Sequence, residues 1–317
     1  MPEENKIYDL IIIGAGGAGL SASIYASRYK ITHLVFAKVL GGTITTAHIV
    51  ENFPGFTSVA GQDLAAHLVS HAKELGGLIK EEEISHAAKV DGIFELTTIG
   101  GSRYQAKTII LATGSQRKRL DIAGEKDFLG KGISYCSTCD APFFRNKTVV
   151  VVGGGDSALT ASLHLSEFAG KVYVIYRGSQ LRAEPTWIES VSKNPKIEVI
   201  FNTNIIEILG TQVVQEIRLD VPYKDKPTLA VDGVFIEIGA VPGTVLADQL
   251  GVKLDEKGYV DLGQNNSTNV PGVFAAGDLT NGSSGLRQLV TASSEGAIAA
   301  AGVYGYLKQK APAPSWG

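Results

Sequence analysis

The 317-residue sequence predicts an α/β fold of two three-layer domains, the second inserted in the first. Two similar stretches support this prediction, YDLIIIGAGGAGLSASIYASR from residue 8 and KTVVVVGGGDSALTASLHLSE from residue 147. Each places an apolar run before a glycine turn and a helix of small residues, which is the opening of a βαβ unit. Two later apolar runs that end in glycine turns, AKTIILATGSQ and VDGVFIEIGAVPG, supply a further strand for each domain.

The glycine turns predict that each domain is a Rossmann-like dinucleotide-binding domain. The first turn contains Gly14, Gly16 and Gly19 as G-x-G-x-x-G, and the second contains Gly153, Gly155 and Ala158 as G-x-G-x-x-A. Such glycines permit a tight turn and close backbone approach, and the helix that follows points its N-terminus at a pyrophosphate. Two copies, each between a strand and a helix, favour this interpretation over glycine turns without a ligand.

The position that reads the adenosine ribose lies about 20 residues after each turn. In the first domain Ala37 and Lys38 stand there, where an acidic residue is expected. In the second, Arg177 and then Arg182 follow the strand. Arginine suits a 2′-phosphate and so favours NADPH over NADH, although two arginines are also ordinary on a surface.

The order of the remaining segments places the second domain inside the first. The polar, alternating stretches DGIFELTTIGGSRYQ and VVQEIRLDVPYKDK predict a β-meander in each domain. The chain would cross between the domains near residues 115–119 and 242–247. The segment from VPGVFAAGD to the last helix completes the first domain, and the tail KAPAPSWG is predicted to be disordered.

Composition and charge exclude two classes of partner. Lys and Arg total 29 against 32 Asp and Glu, a net charge of −3, and no motif that reads RNA or DNA is present. The apolar runs are too short to span a bilayer, and MPEENKIYDL does not have the pattern of a secretory signal. We therefore expect a cytoplasmic protein that binds neither nucleic acid nor a membrane.

The two cysteines of the chain, Cys136 and Cys139, form a C-x-x-C pair in SYCSTCDAPFF. A structural disulfide is disfavoured because the cytoplasm is reducing and the closed loop is small. Structural zinc needs four ligands, and the chain has a single cysteine pair. His67 and His71 lie four residues apart on a segment with helical periodicity, but they lack the glutamate of an H-E-x-x-H motif, which favours an ordinary helix face. We therefore expect no metal site and favour a working redox couple.

Eight motifs, in order, resemble the low-molecular-weight thioredoxin reductases over residues 8–307. They are GAGGAG, the GG of residues 41–42, VENFPG, ATG, CSTCD, GGGDSA, GVFAAGD and LRQLVTA. The resemblance implies that residues 1–117 and 245–317 form an FAD-binding domain. It implies that residues 118–244 form an NAD(P)-binding domain that carries the redox pair.

The resemblance also assigns residues to each cofactor. For FAD they are Gly14, Gly16, Gly19, Lys38, Gly41, Gly42, Asn52, Ala112, Thr113, Gly114, Gly277, Asp278, Arg287 and Gln288. For the nicotinamide nucleotide they are Gly153, Gly155, Asp156, Ser157, Arg177 and Arg182. Asn52 could instead be a turn residue before Pro54, and Asp278 could be a helix N-cap.

The resemblance implies that the cysteine pair cycles between disulfide and dithiol. Cys139 would be nearer the flavin, and Cys136 would attack the disulfide of a thioredoxin- or glutaredoxin-like protein. Asp140 would donate and accept protons, although it could also be a turn carboxylate before Pro142. The family further implies a homodimer and rotation of the inserted domain about its two linkers.

The sequence departs from the family at the electron donor. NADPH-using members carry H-R-R-x-x-x-R after the second strand, where this chain has YRGSQLR, with Tyr176 and Gly178 at the first and third positions. Weak use of NADPH, loss of discrimination against NADH, or another donor all fit this change. The alternatives are a ferredoxin-linked disulfide reductase, a flavin-dependent dithiol oxidase, and a flavin-bearing redox sensor that does not turn over.

Overall fold

The computed structural model describes residues 6–308, which divide into two compact units. The first joins the residues up to Gln116 with those from Pro242 onward, and the second is Arg117–Val241. The predicted boundaries at 117/118 and 244/245, with the cofactor assigned to each domain, stay predictions. The tail KAPAPSWG lies outside the described residues.

Residues 6–308 contain 19 strands and seven α-helices. The strands are β1 (Ile7–Ile13), β2 (His33–Phe36), β3 (Ile49–Val50), β4 (Val59–Ala60), β5 (Leu78–Lys80), β6 (Ile84–Val90), β7 (Ile93–Thr98), β8 (Arg103–Leu111), β9 (Ser115–Arg117), β10 (Ile133–Ser134), β11 (Thr148–Val152), β12 (Lys171–Ile175), β13 (Ile197–Ile200), β14 (Ile205–Gly210), β15 (Val214–Tyr223), β16 (Lys226–Ala230), β17 (Gly233–Ile236), β18 (Ala240–Pro242) and β19 (Val273–Ala275). The α-helices are α1 (Gly17–Arg28), α2 (Gly61–Glu74), α3 (Ser137–Asp140), α4 (Asp156–Phe168), α5 (Pro185–Lys193), α6 (Val245–Gln249) and α7 (Leu289–Leu307). Short 3-10 helices cover Gly42–Thr46, Ala141–Phe144, Gln264–Asn266 and Ser283–Gly285. None of the helices in residues 6–308 has the length and apolarity that a membrane span needs.

The first unit is built on a parallel sheet of order β5-β2-β1-β8-β19. β6 and β7 extend β8 as an antiparallel meander, as the alternating pattern predicts. The central strand β1 is buried on both faces: Leu10 and Ile12 lie in one core cluster, and Ile11 and Ile13 lie in the other. Burial on both faces explains why this strand is a continuous apolar run rather than an alternating one.

The second unit repeats this plan with a parallel sheet of order β13-β12-β11-β17-β10. The predicted meander forms the separate antiparallel sheet β14-β15-β16. Val150 and Val152 of β11 lie in one core cluster, while Val149 and Val151 lie in the other. The predicted fold class, two Rossmann-like units with the second inserted in the first, is confirmed.

Candidate active site

The first glycine turn connects β1 to α1 and leaves one face open. Gly14 has φ +115°, and a Cβ there would overlap the carbonyl oxygen of Ala112. A Cβ at Gly19 would overlap the carbonyl oxygen of Gly14, so helix and strand pack closely. At Gly16 the nearest neighbour of a Cβ would be the Cα of Gly42, 3.8 Å away. This pattern fits a dinucleotide such as FAD, whose pyrophosphate needs an open backbone at the middle glycine.

The second glycine turn, between β11 and α4, has the same construction. Gly153 has φ +144°, and a Cβ there would overlap the carbonyl oxygen of Glu237, whereas a Cβ at Gly155 would meet nothing within 4 Å. The carboxylate of Asp156 accepts a hydrogen bond of 2.6 Å from the backbone N–H of Glu184. Ser157 is exposed on the first turn of α4. The second turn therefore also fits a pyrophosphate, and Asp156 fixes the segment that precedes α5.

The predicted FAD segment Ala112, Thr113 and Gly114 follows β8 directly. The backbone N–H of Ala112 donates to Ile13 O at 2.8 Å, which ties the segment to the end of β1. Thr113 Oγ1 donates to Gly243 O at 2.6 Å, and the Gly243 N–H donates to Gly114 O at 2.9 Å. Gly243 therefore holds this segment in place, a role that the sequence pattern did not reveal.

A buried carboxylate organises the turn that contains Gly277 and Asp278. Glu295 of α7 is 6% exposed, and one of its oxygens accepts hydrogen bonds of 2.8 Å from the Gly277 N–H and from Thr280 Oγ1. Its other oxygen accepts a bond of 2.6 Å from Ser283 Oγ. Sequence reasoning missed Glu295, although a lone acid in the small-residue stretch SSEGAIAAAG is a signal for such a role.

Asp278 lies in an unusual electrostatic environment. Burial raises the pKa of its carboxyl group, the positive charge of Arg287 opposes that rise, and the negative charge of Glu295 adds to it. The side chain also has a hydrogen bond with Ser115. No helix begins at Asp278, so the alternative of an N-cap is wrong. The guanidinium of Arg287 is fixed over the ring of Tyr259, 3.8 Å from its centroid.

The structure brings Asn52 and Gln288 together across 236 positions of sequence. Asn52 Nδ2 donates to Gln288 Oε1 at 3.2 Å. Gln288 is also the N-cap of α7, where its side chain and that of Thr291 form a capping box. The start of α7 therefore holds both Gln288 and, through the hydrogen bond to it, Asn52.

Lys38, which follows β2 at the position where an acidic ribose-binding residue is expected, forms an ion pair with Glu83. Lys38 Nζ lies 2.9 Å from Glu83 Oε2, and Ala37 donates its N–H to the carbonyl of Lys80 at the end of β5. Glu83 therefore places a carboxylate beside the end of β2, where residues 37 and 38 supply none.

The predicted FAD glycines Gly41 and Gly42 lie in close contact with neighbouring residues. A Cβ at Gly42 would lie 2.8 Å from the Cα of Gly16, and one at Gly41 would lie 2.5 Å from the Cβ of Ala65.

The cysteine pair of the second unit is a disulfide. Cys136 and Cys139 have a Cα–Cα distance of 5.4 Å, and the Cys139 N–H donates to Cys136 Sγ at 3.2 Å. Asp140 ends α3, and its N–H donates to Cys136 O at 3.2 Å. Cys139 is exposed, while Cys136 and Asp140 are half-buried. α3 packs against α4, so the disulfide and the second glycine turn belong to one packed element pair.

Arg177 and Arg182 follow β12 and are both exposed. Neither guanidinium has an ion pair with a described residue. The backbone N–H of Arg182 donates to Gly154 O at 2.7 Å, which holds the loop over the second glycine turn. Two positive charges therefore flank the turn and are available to an anionic ligand.

Comparisons with known proteins agree with this geometry. The family model of pyridine nucleotide-disulphide oxidoreductases matches residues 8–296. The thioredoxin reductase of Listeria innocua is 40% identical over 313 residues, which is 98% of this chain and 97% of the relative. The crystal structure of Lactococcus lactis thioredoxin reductase is 31% identical with a TM-score of 0.89, covering 95% of this chain and 99% of that one. A ferredoxin-flavin thioredoxin reductase from Clostridium acetobutylicum is 28% identical with a TM-score of 0.52, covering 96% and 99%.

The two glycine turns fit the FAD and nicotinamide cofactors that this family implies, and the disulfide supplies its redox-active group. The chain belongs to the pyridine nucleotide-disulphide oxidoreductase family and is a flavin-dependent disulfide oxidoreductase of the low-molecular-weight thioredoxin reductase type.

Proposed function

We propose that the chain is an FAD-dependent thioredoxin-disulfide reductase, with a pyridine nucleotide as electron donor and a thioredoxin-like protein as acceptor. The observation that carries this proposal is the Cys136–Cys139 disulfide on α3, packed against the helix that follows the second glycine turn. FAD, when bound, supplies two-electron chemistry between a nicotinamide and a disulfide.

The cysteines perform the exchange in two steps once they are reduced. The Cys136 thiolate attacks one sulfur of the substrate disulfide, forms a mixed disulfide and releases the other substrate sulfur. Cys139 then attacks Cys136 Sγ, which restores the internal disulfide and releases the second substrate thiol. The hydrogen bond from the Cys139 N–H to Cys136 Sγ supports this assignment, because it stabilises negative charge on the attacking sulfur.

Each of the two substrate sulfurs takes up a proton as its S–S bond breaks and it becomes a thiol. Asp140 follows Cys139 directly, is half-buried and ends the same short helix, so we assign it the role of proton donor and acceptor. An uncharged amide at this position would keep the shape of the side chain and lose the transferable proton.

The surface beside the disulfide fits a protein substrate rather than a small one. Phe143 is 73% exposed and lies in the 3-10 helix Ala141–Phe144, which directly follows α3. An exposed aromatic side chain next to an exposed Cys139 offers apolar contact area to the rim of another protein's redox site. We therefore propose a thioredoxin- or glutaredoxin-like protein as the acceptor.

We propose NADPH as the principal donor and NADH as a second one. The exposed Arg177 and Arg182 supply charge for a 2′-phosphate. A second candidate, a ferredoxin-linked disulfide reductase or a dithiol oxidase that does not use NADPH, is favoured by Gly178, which stands at the position where NADPH-using members of the family carry an arginine. The similarity to a ferredoxin-flavin thioredoxin reductase gives that candidate additional support.

An anaerobic titration of the FAD-loaded protein tests the donor and the acceptor together. Sub-stoichiometric NADPH, then NADH, is added while the flavin absorption band is followed, and oxidised thioredoxin is added last. We expect rapid bleaching by NADPH and its reversal by thioredoxin. Bleaching by dithiothreitol but by neither nucleotide would contradict the donor and direct the next titrations to reduced ferredoxin and to oxygen.

We also propose the cytoplasm as the compartment, because a disulfide that must be reduced in every cycle needs a reducing nucleotide pool. The resemblance implies a homodimer and rotation of the inserted unit, and we propose both for this chain. Light scattering of the FAD-loaded protein should give twice the chain mass of 33.5 kDa.

A further inference from the structure

The loop after β12 contains an aromatic side chain that the proposed function does not use. Tyr176 directly follows β12 and is 9% exposed. In a βαβ unit this position, at the end of the second strand, reads the 2′ group of the adenosine ribose. Residues 176–182 offer no carboxylate for a ribose hydroxyl, so the two arginines are the charged groups available there.

The ring of Tyr176 lies directly against two glycines. A Cβ at Gly154, in the middle of the second glycine turn, would lie 2.5 Å from Cδ2 and 2.6 Å from Cγ of the ring. A Cβ at Gly178 would lie 2.7 Å from Cε1, 2.9 Å from Cζ and 3.1 Å from the hydroxyl oxygen. The near half of the ring therefore needs glycine at 154, and the far half needs glycine at 178.

Backbone hydrogen bonds prevent the loop from moving aside. The Tyr176 N–H donates to Ile200 O at 2.9 Å, and the Tyr176 carbonyl accepts from the Thr203 N–H at 3.2 Å. The Gly178 carbonyl accepts from the Asn202 N–H at 3.1 Å. A side chain at 178 would therefore have to displace an enclosed ring whose backbone is hydrogen-bonded to residues 200–203.

We propose that Tyr176 sets the pyridine nucleotide specificity of this chain, because its ring restricts position 178 to glycine and so excludes a third basic side chain from the 2′-phosphate site. A 2′-phosphate then has Arg177 and Arg182 as its charged contacts, and the preference for NADPH over NADH is weak. This inference rests on the proposed function in that it takes a pyridine nucleotide as the ligand. It predicts that adding an arginine at 178 changes specificity only when Tyr176 is also replaced.

The first test is a thermodynamic cycle on Gly178→Ala and Tyr176→Val. Valine suits the end of a strand and lacks Cε1, Cζ and the hydroxyl, the atoms that a Cβ at 178 would meet. With Tyr176 present, Gly178→Ala should lower the Tm by about 2–8 °C, as overpacking does. In the Tyr176→Val background the same substitution should leave the Tm unchanged, because the atoms that it would meet are gone. Equal changes in Tm in both backgrounds would overturn the inference.

The second test measures nucleotide binding without turnover. Dissociation constants of NADP⁺ and NAD⁺ are determined by calorimetry on FAD-loaded wild type, Gly178→Arg, and Tyr176→Val combined with Gly178→Arg. The double variant should increase the preference for NADP⁺ by about tenfold, and the single variant should leave it unchanged. Ser179→Arg is the matched control, because it adds the same charge at the neighbouring, exposed position.

An unchanged ratio in the double variant, or an equal gain in Gly178→Arg alone, would overturn the role of Tyr176. These ratios do not depend on electron transfer to the flavin. Wild-type flavin that neither nucleotide bleaches, together with the expected gain in the double variant, would contradict the proposed donor and still support this inference.

Discussion

The carboxylate of Glu295 should control both the stability of the first unit and its retention of FAD. It accepts hydrogen bonds from the Gly277 N–H, Thr280 Oγ1 and Ser283 Oγ, and its side chain is buried. Glu295→Ala removes all three acceptor contacts. The two hydroxyl groups can rotate to other partners, but the Gly277 N–H cannot, so we expect a loss of about 2–5 kcal/mol in the free energy of unfolding.

Glu295→Gln separates the loss of charge from the loss of acceptors. The amide oxygen can accept from Gly277 and Thr280, and the amide NH₂ can donate to the hydroxyl of Ser283, which accepts as well as donates. The expected loss is therefore only about 1 kcal/mol, the difference between charged and neutral hydrogen bonds. The matched control is Glu256→Ala, which removes an exposed acid of the same unit.

The measurements are thermal unfolding of the FAD-free protein and the FAD dissociation constant from flavin fluorescence. For Glu295→Ala we expect a fall in Tm of about 5–15 °C and FAD binding weakened by about tenfold or more, because the Gly277–Asp278 turn loses its support. Wild-type Tm and FAD binding in Glu295→Ala would refute the reasoning. Equal damage in Glu295→Gln would show that charge, rather than acceptor geometry, holds the turn.

Three further predictions concern the cysteines, the proton donor and pH. Cys136→Ser should abolish reduction of thioredoxin while NADPH still bleaches the flavin, and Cys139→Ser should do the same; turnover above background in either would contradict the exchange mechanism. Asp140→Asn should lower kcat by about 10²-fold with little change in KM, and an unchanged kcat would remove it from proton transfer. Burial lowers the pKa of the His33 imidazole, so below about pH 6.5 this side chain is protonated in the unfolded chain while it is still neutral in the folded chain. Stability should therefore fall by at most about 1.4 kcal/mol per pH unit as pH drops below about 6.5, until the folded group also protonates. His33→Gln should flatten that slope in urea unfolding measured at several pH values, whereas the exposed His67→Gln should retain it.

The fold and the glycine turns were predictable because their causes are local. β1 and β11 are continuous apolar runs since both faces of each strand are buried, and the glycine that follows each adopts a positive φ. The disulfide of Cys136 and Cys139 was equally accessible, because a C-x-x-C spacing places the two residues close together whatever surrounds them. The sequence also shows that Gly178 departs from the family motif, but it does not show that the ring of Tyr176 occupies the space beside it.

The residues that fix the candidate site were less predictable because their partners are distant in sequence. Asn52 meets Gln288, and Thr113 meets Gly243, across 236 and 130 positions of sequence, so no local pattern records the pairing. Glu83 likewise reaches Lys38 only because β2 and β5 are neighbours in the sheet.

The sequence by itself determined two dinucleotide-binding folds, their nesting and a redox pair, because strand burial, glycine turns and cysteine spacing act over a few residues. The tertiary structure decided which polar side chains support the turns and which positions can carry a side chain at all. Glu295 is a lone acid in a small-residue stretch, a signal that does not identify its partners, and Tyr176 has the sequence character of an ordinary strand end. Only close packing, which leaves no room for a Cβ beside the ring and no solvent for the carboxylate, gives each of them its role.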